Sequence, residues 1–269
     1  MIEKPRLRRL PVSLCVVVVA VGGCGVLDSV PRGAETITAG FRGPTPQEAA
    51  ELALDPYNAD SRFRGIQLLS NADFGGNDPY VRLYLDGVDD EDPGVRWVSI
   101  RALGRHGDPE HVPLIINGLS DMDPQVRAES ARALQRLHAD AAVDALIRAT
   151  DPELEPDPAV RAEAAHALGQ YAQSRVVQAL VASLDDPSLA VNRNTRQALR
   201  TLTGQDFKFD RGAWVAWIDG ADDLFAARTP YTYPVFERDK RLVEWLPFMG
   251  EPPNEAESTP VGMMPPGSE

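Results

Sequence analysis

One stretch of sequence decides the fold: DPQVRAESARAL, which occupies residues 123–134. Counting from Val126, small or apolar residues stand at offsets 0, 4, 7, 8 and 11, the last being Leu137. This spacing lines one face of an α-helix. The leading aspartate and proline are typical of a helix start, because the carboxylate can accept hydrogen bonds from the unpaired first amides and proline has no amide to leave unpaired. The stretch therefore predicts an α-helix that buries one face.

The same pattern recurs along the chain. Related stretches are DPGVRWVSIRAL at residues 92–103, DPAVRAEAAHAL at residues 157–168 and VNRNTRQAL at residues 191–199. Successive Ala-Leu pairs are separated by 31, 34 and 31 residues, and a weaker copy at residues 62–69 lies 34 residues ahead of the first. A second helical pattern precedes each copy, as at residues 112–119. Helix pairs with such a period stack through neighbour contacts, so the chain is predicted to be an all-α solenoid.

The motif Asp-Pro-x-Val-Arg, followed by Ala-Leu-Gly, resembles the short bacterial HEAT repeat that also occurs in phycobilisome lyases. The resemblance covers residues 46–204. It implies an armadillo-like superhelix of HEAT-like helix pairs, whose second helices line the concave side. It also implies a ladder in which the turn aspartate and the arginine after valine connect successive units. The residues of this expected ladder are Asp92, Arg96, Asp123, Arg127, Asp157 and Arg161. Asn192 replaces the arginine of the last copy, so the ladder is expected to end before that unit.

The N-terminal residues resemble the signal of a bacterial lipoprotein. Four basic residues precede an apolar run at residues 10–21, which is too short to span a bilayer comfortably. The run ends in Val21-Gly22-Gly23-Cys24, which matches the lipobox position by position except that leucine is commoner where valine stands. The resemblance implies removal of residues 1–23 and attachment of acyl chains to Cys24, which would anchor the protein stably. An ordinary signal peptide or an uncleaved signal anchor is the alternative.

Two further expectations follow from the lipoprotein resemblance. Residues 24–45 are rich in glycine and proline without an apolar period, which predicts a flexible tether. Gly25 stands where an aspartate would favour retention at the inner membrane, so the outer membrane of a bacterial cell envelope is favoured. Cys15 lies within the segment that would be removed.

The end of the array is aromatic. Ten of the 18 aromatic residues lie between residues 207 and 248, and Trp214 and Trp217 share one helix face. We expect residues 205–249 to form a cap over the last repeat, followed by an extended aromatic segment along the solenoid, because every solenoid must cover its terminal face. A ligand platform is the alternative. Residues 250–269 have no apolar period and are predicted to be a disordered tail.

The sequence lacks motifs for catalysis or nucleic-acid binding. None of the four histidines is followed by glutamate, in contrast to the His-Glu dyads that hold two irons in HEAT-type deoxyhypusine hydroxylases. No nucleophile motif and no glycine-rich phosphate loop are found in it. The net charge of −13 argues against a nucleic-acid partner, since such binding begins with a basic surface. We therefore expect no enzyme activity, no cofactor and no metal; a HEAT-repeat enzyme or maturation factor is the alternative class.

Two polar columns remain on the second helices, at offsets 6 and 10 from the first valine of each copy. The first column contains Arg101, Arg132, His166 and Gln197, and the second contains Arg105, Arg136, Gln170 and Thr201. Arginine-rich columns favour recognition of an acidic protein partner or of an anionic polymer near the membrane. Alternatively, they are solvated helix faces balanced by Glu129 and Glu163. The sequence thus favours a membrane-anchored, non-catalytic scaffold for protein–protein interaction.

Overall fold

The computed structural model describes residues 45–233, 239–240, 245, 254 and 257–263. Within these residues the chain forms eleven α-helices and two isolated β-bridges, and it forms no β-strand. The helices are α1 (Pro46–Ala53), α2 (Ala59–Ser70), α3 (Asp78–Gly87), α4 (Pro93–His106), α5 (Val112–Gly118), α6 (Pro124–Ala133), α7 (Val143–Arg148), α8 (Pro158–Leu168), α9 (Ser174–Ala182), α10 (Leu189–Thr203) and α11 (Arg211–Gly220). Short 3₁₀ turns at Pro109–His111, Asp140–Ala142 and Ser183–Asp185 adjoin α5, α7 and α9.

The first ten helices form five consecutive pairs, α1–α2 to α9–α10. The second helices of the pairs are α2, α4, α6, α8 and α10, and each packs against the second helix of the next pair. The first helices pack mainly on their own partners. Each pair therefore contacts its neighbours along the chain, which is the arrangement of an α-solenoid and confirms the predicted fold class.

The Asp-Pro dipeptides begin the second helices as predicted. Asp92 caps α4, since its Oδ1 accepts hydrogen bonds from the amides of Gly94 at 2.8 Å and Val95 at 3.2 Å. Asp123 caps α6 in the same way, and Asp157 caps α8 by accepting a hydrogen bond from the Ala159 amide. A cap of this kind stabilises a helix by about 1 kcal/mol. In all three helices proline occupies the first turn, where the missing amide costs no hydrogen bond.

The buried stripe of the second helices follows the sequence period. All the predicted positions are buried in α6, α8 and α10 or just beyond their ends, and in α4 only His106 is half-buried. Small residues at offset 4 let the paired helices approach closely. A Cβ on Gly87 would lie 2.2 Å from Ser99 Oγ, and one on Gly118 would lie 2.2 Å from Ser130 Oγ. The repeat is therefore packed through specific small residues as well as through leucine and valine.

Helix α11 closes the C-terminal end of the solenoid against α9. Trp214 is fully buried, and its Nε1 donates a hydrogen bond to the Lys208 carbonyl at 3.3 Å. The Phe207 and Trp214 rings meet nearly at right angles with centroids 4.9 Å apart, and Trp217 packs beside both rings. These aromatic side chains cover the apolar face of the last pair.

Beyond α11 the chain returns along the second helices. We call residues 228–233 and 257–263 together the C-terminal strap. The Val261 amide donates to the Arg136 carbonyl at 2.8 Å, and the Val261 carbonyl accepts from the His138 amide at 2.8 Å. The prediction of a disordered tail is therefore wrong for residues 257–263. This segment is held by hydrogen bonds to backbone groups near helix ends. Such bonds need no apolar side chains, so the sequence of the segment shows no apolar period.

The remaining N-terminal predictions lie outside the described residues. They are the signal segment at residues 1–23, the lipidated Cys24 and all but the last residue of the tether at residues 24–45. In the part of the chain that the structure does describe, every helix falls short of the length and apolar character needed to cross a lipid bilayer.

Candidate protein-interaction surface

An arginine ladder joins successive repeats, but its acidic residues are not the ones predicted. Arg96 donates from Nε and Nη2 to the Asp121 carboxylate of the next repeat, at 2.7 and 2.8 Å. Its Nη1 also donates to the carbonyls of Asp90 and Glu91 in its own turn, at 2.9 and 3.1 Å. The same bidentate geometry connects three further pairs, Arg62–Asp90, Arg127–Glu155 and Arg161–Asp186.

The predicted aspartates Asp92, Asp123 and Asp157 serve as helix caps instead. In each of these ion pairs, which form the rungs of the ladder, the acidic residue stands two positions before the capping residue. There its carboxylate can accept hydrogen bonds both from the backbone amide of the capping residue and from the arginine. The Asp123 amide, for example, donates to Asp121 Oδ1 at 2.8 Å. In the last copy, Asn192 donates to the Asp186 carbonyl at 3.0 Å in place of an arginine. The arginines of the prediction are thus part of the ladder, whereas its aspartates position the helices.

The centre of the first predicted column is neutralised by carboxylates. Arg132 lies 2.6 Å from the Glu129 carboxylate and 2.8 Å from that of Glu163. Glu129 is only 3% exposed, and its burial raises the pKa of its carboxyl, against the opposing effect of the nearby Arg132 and Arg101 charges. Arginine and glutamate therefore alternate here, so the column is not a continuous basic stripe.

The N-terminal part of this face combines two half-buried aromatic rings with an exposed cation. Phe63 of α2 stacks on Trp97 of α4 with centroids 6.0 Å apart and ring planes inclined by 14°. The Arg101 guanidinium lies 5.4 Å from the centre of the Trp97 ring and is exposed. We call Phe63, Trp97 and Arg101 the aromatic–arginine surface. The sequence analysis did not identify the two rings as candidates. Both stand at offset 2 of their copies, one helical turn before the first predicted column at offset 6.

The other N-terminal arginine of the predicted columns lies next to this surface. Arg105 Nη1 donates to Asn71 Oδ1 of the preceding repeat at 2.9 Å. This bond holds the Arg105 side chain against the C-terminal end of α2.

The C-terminal part of both columns is covered by the C-terminal strap. His166 Nδ1 lies 3.0 Å from Tyr231 Oη, and the Arg136 guanidinium lies 4.7 Å from the centre of the Tyr233 ring. Gln170 is buried, and Gln197 is exposed beside the strap. The candidates for partner binding in the two columns are Arg101, Arg105, Arg132, Arg136, His166 and Gln197. All of them except Arg101 have polar or cation–π contacts with other repeats or the strap, or line a space beside the strap. Among the described residues, the strap covers the C-terminal half of this face.

The histidines take part in structural contacts. His106 Nε2 lies 2.7 Å from the Ser70 carbonyl oxygen, and His138 Nδ1 lies 3.0 Å from Gln170 Oε1. His138 also stacks on the Tyr171 ring with centroids 4.8 Å apart. Across the described ranges, we find no group of three or more His, Cys, Asp or Glu side chains that could hold a metal ion.

Similarity to known proteins is concentrated in the repeat region. The family model for HEAT repeats matches residues 81–155 and again residues 112–200. No curated protein shows a significant match to the sequence. The chain is 22% identical to a chain of the complex of CpcE and CpcF of phycocyanin lyase from Nostoc sp. PCC7120, with a TM-score of 0.46; the match covers 57% of this chain and 96% of that one.

Two other solved structures are similar to part of this chain. Human deoxyhypusine hydroxylase is 20% identical with a TM-score of 0.31, and the match covers 60% of this chain and 85% of the enzyme. A designed armadillo repeat protein is 15% identical with a TM-score of 0.46, over 68% of this chain and 95% of the design. The described part of the chain is an all-α solenoid, and residues 81–200 of it match the family model for HEAT repeats.

Proposed function

We propose that this protein is a membrane-anchored, non-catalytic HEAT-repeat scaffold that binds a partner protein in the bacterial cell envelope. A helical-repeat scaffold is suited to protein interaction because its stacked helices present one extended surface. A fold alone does not define an activity, so the proposal rests on one feature of that surface.

The aromatic–arginine surface is the observation that carries the proposal. It brings together Phe63 and Trp97 from adjacent repeats and places the exposed Arg101 guanidinium over the second ring. Tryptophan and arginine are enriched among the residues that dominate binding energy at protein interfaces. An acidic segment of the partner would complement the exposed Arg101 guanidinium, whereas Arg132 is already paired with the carboxylates of Glu129 and Glu163.

The anchoring part of the proposal rests on the sequence of the N-terminus. The apolar run closes on two glycines before Cys24, and the mature chain would begin at that cysteine. Several acyl chains on one residue give stable membrane attachment. The glycine- and proline-rich residues 24–45 would separate the solenoid from the bilayer, with the outer membrane favoured by Gly25.

Crosslinked pull-down from native membranes tests the partner proposal. Arg101→Glu reverses the exposed charge beside Trp97 and is expected to remove the captured partner while the helical circular dichroism signal is unchanged. Arg148→Glu is the matched control, because Arg148 is an exposed arginine on the first helix α7, away from the proposed surface. Arg132 is not a suitable site for this test, since reversing its charge would leave the buried Glu129 without its partner.

Two results would overturn the proposal. One is an Arg101→Glu chain that captures the same partners in the same amount as the wild-type chain. The other is a stoichiometric metal or a bound chromophore in the protein purified from its native host, which would indicate an enzyme or maturation factor.

A further inference from the structure

The C-terminal strap contacts equivalent positions of different repeats. The Thr229 amide donates to the Thr201 carbonyl of α10 at 2.8 Å, and the Val261 amide donates to the Arg136 carbonyl just after α6 at 2.8 Å. Both acceptors stand at offset 10 of their copies. The last carbonyls of a helix have no partner within the helix, so the second helices present acceptors at regular positions. An extended chain can bind such a row with its backbone.

A single buried side chain anchors the first part of the strap. Tyr231 is 4% exposed, whereas Thr229, Pro230 and Thr232 around it are exposed. Its hydroxyl lies 3.0 Å from His166 Nδ1, and the two rings lie 5.5 Å apart. One tyrosine with a hydrogen-bond partner, flanked by solvent-facing residues, is the contact pattern of a bound peptide rather than that of a core segment.

The packing beneath the strap is incomplete. A cavity of about 240 Å³ lies between the strap and the ends of α8 and α10, with Gln170, Leu202 and Tyr231 among its lining residues. A second cavity of about 100 Å³ lies on the His166 side of the same tyrosine. Unfilled space on both sides of Tyr231 reduces the dispersion contacts that hold this segment, as is common in segments that open locally.

We propose that the face formed by α6, α8 and α10 is a groove for an extended, tyrosine-bearing segment of a partner protein, and that the C-terminal strap occupies this groove as an intramolecular competitor. The inference rests on the proposed scaffold function in that the partner is a protein. The strap shows which groups the groove binds. A backbone amide donates a hydrogen bond to the carbonyl at offset 10, and the tyrosine two residues later places its hydroxyl next to His166. Pro230 between them favours the extended conformation.

Tethering makes the strap an effective competitor in spite of its few contacts. A segment linked to its own site acts at an effective concentration of about millimolar and avoids the translational and rotational entropy cost of bringing two molecules together. A partner segment must therefore bind the groove tightly enough to displace the strap, or the strap must first be released. Weakening the strap is therefore expected to increase affinity for a free segment of the same chemistry.

A peptide with the sequence of residues 227–234, ARTPYTYP, provides the probe. Labelled peptide is titrated into the purified full chain and followed by fluorescence anisotropy. The Tyr231→Ser chain is expected to bind it at least about tenfold more tightly than the wild-type chain, because the vacated groove no longer holds its own strap. A peptide in which serine replaces the tyrosine of Tyr231 is expected to bind neither chain.

Matched variants separate strap release from general destabilisation. Tyr57→Ser removes a tyrosine that is 95% exposed in the turn after α1, and this chain is expected to bind the peptide like wild type. Thr229→Pro removes the amide that donates to Thr201 while leaving Tyr231 in place, and it is expected to increase peptide binding as Tyr231→Ser does. It replaces the tyrosine variant if that chain does not fold.

The inference is overturned if the folded strap variants bind the peptide no better than wild type, or if the serine peptide binds them equally well. This assay uses purified protein and a defined peptide. Its outcome therefore does not depend on the pull-down. A pull-down that captures no partner would contradict the proposed scaffold function, but it would not contradict peptide binding in the groove.

Discussion

The guanidinium of Arg161 holds the carboxylate of Asp186 across two repeats, with Nε 2.7 Å from Oδ2 and Nη2 3.1 Å from Oδ1. The two side chains are 7% and 1% exposed, so this rung is more buried than its equivalents nearer the N-terminus. The remaining nitrogen, Nη1, donates hydrogen bonds to the carbonyls of Glu155 and Pro156. The Asp186 carboxylate also accepts a hydrogen bond from the Ser188 amide. The rung therefore fixes two turns as well as two charges.

Arg161→Ala is expected to lower the free energy of unfolding by roughly 3–5 kcal/mol, because it leaves a buried carboxylate without its partner. Urea denaturation followed by circular dichroism measures the change. Arg82→Ala serves as the control, since its ion pair with Asp78 is 73% and 74% exposed and such pairs contribute about 0–1 kcal/mol. Equal effects of the two substitutions would contradict a structural role for the ladder.

The ladder also predicts loss of stability in acid. Hydrogen bonds from Arg96 lower the pKa of the Asp121 carboxyl below its usual value. Because the folded-state pKa is depressed, the stabilisation is fully present above the unfolded value of about 3.9 and is lost as the pH falls through the folded-state pKa. The stability difference between the wild-type chain and Asp121→Asn should therefore be constant from pH 7 to 5 and shrink towards pH 2. A difference that is independent of pH over that range would exclude this contribution.

Close helix packing gives a third prediction. Gly118 ends α5, and a Cβ there would lie 2.2 Å from Ser130 Oγ and 2.9 Å from Ile100 Cδ1. Gly118→Ala is therefore expected to destabilise the fold by about 1–3 kcal/mol, although alanine is the better helix former. Adding Ser130→Ala should recover part of the loss.

Gly220 supplies the control for that substitution. It also ends a helix, α11, but a Cβ there would have no atom within 4 Å. Gly220→Ala is expected to be neutral or to stabilise the fold by about 0.4–1 kcal/mol. Thermal unfolding of the two alanine variants compares them directly, and similar melting temperatures would count against tight packing at Gly118.

The repeat itself could be predicted from sequence because the residues that define it act locally. A helix face needs apolar residues at fixed offsets, and a helix start needs a capping side chain, so Val126 and Asp123 specify their roles within a few positions. The ladder was harder to predict, since Asp121 and Asp123 both suit an arginine by charge. Only the geometry of the turn decides between them: the residue at the cap bonds forward to the helix, which leaves Asp121 to face Arg96.

The strap and the aromatic–arginine surface depend on contacts that no local pattern encodes. Tyr231 reaches His166 across 65 residues of sequence, through one side chain and scattered backbone hydrogen bonds. Phe63 and Trp97 meet because two repeats stack, although each is an isolated aromatic residue in its own copy. Tertiary structure also decides which residues of the two columns are covered by the chain itself: Gln170 is buried, whereas Arg101 is exposed.

The lipid anchor is tested by cell fractionation. Cys24→Ala removes the thiol that would be acylated, so the protein is expected to move from the membrane pellet to the soluble envelope fraction. Cys15→Ala changes the only other cysteine, which lies in the segment that would be removed, and should leave the distribution unchanged. A Cys24→Ala protein that remains in the pellet would indicate a signal anchor or another mode of attachment.

The cap supplies the last prediction. Trp214 is fully buried at the end of the array, where its ring meets Phe207 and its Nε1 donates to Lys208. Trp214→Ala should lower the free energy of unfolding by about 3–5 kcal/mol, because the lost ring leaves a cavity under α11. Val215→Ala, at the next and exposed position, should change it by less than about 0.5 kcal/mol. If the alternative of a ligand platform held instead, Trp214→Ala would weaken binding while leaving urea denaturation unchanged, so the two measurements decide between cap and platform.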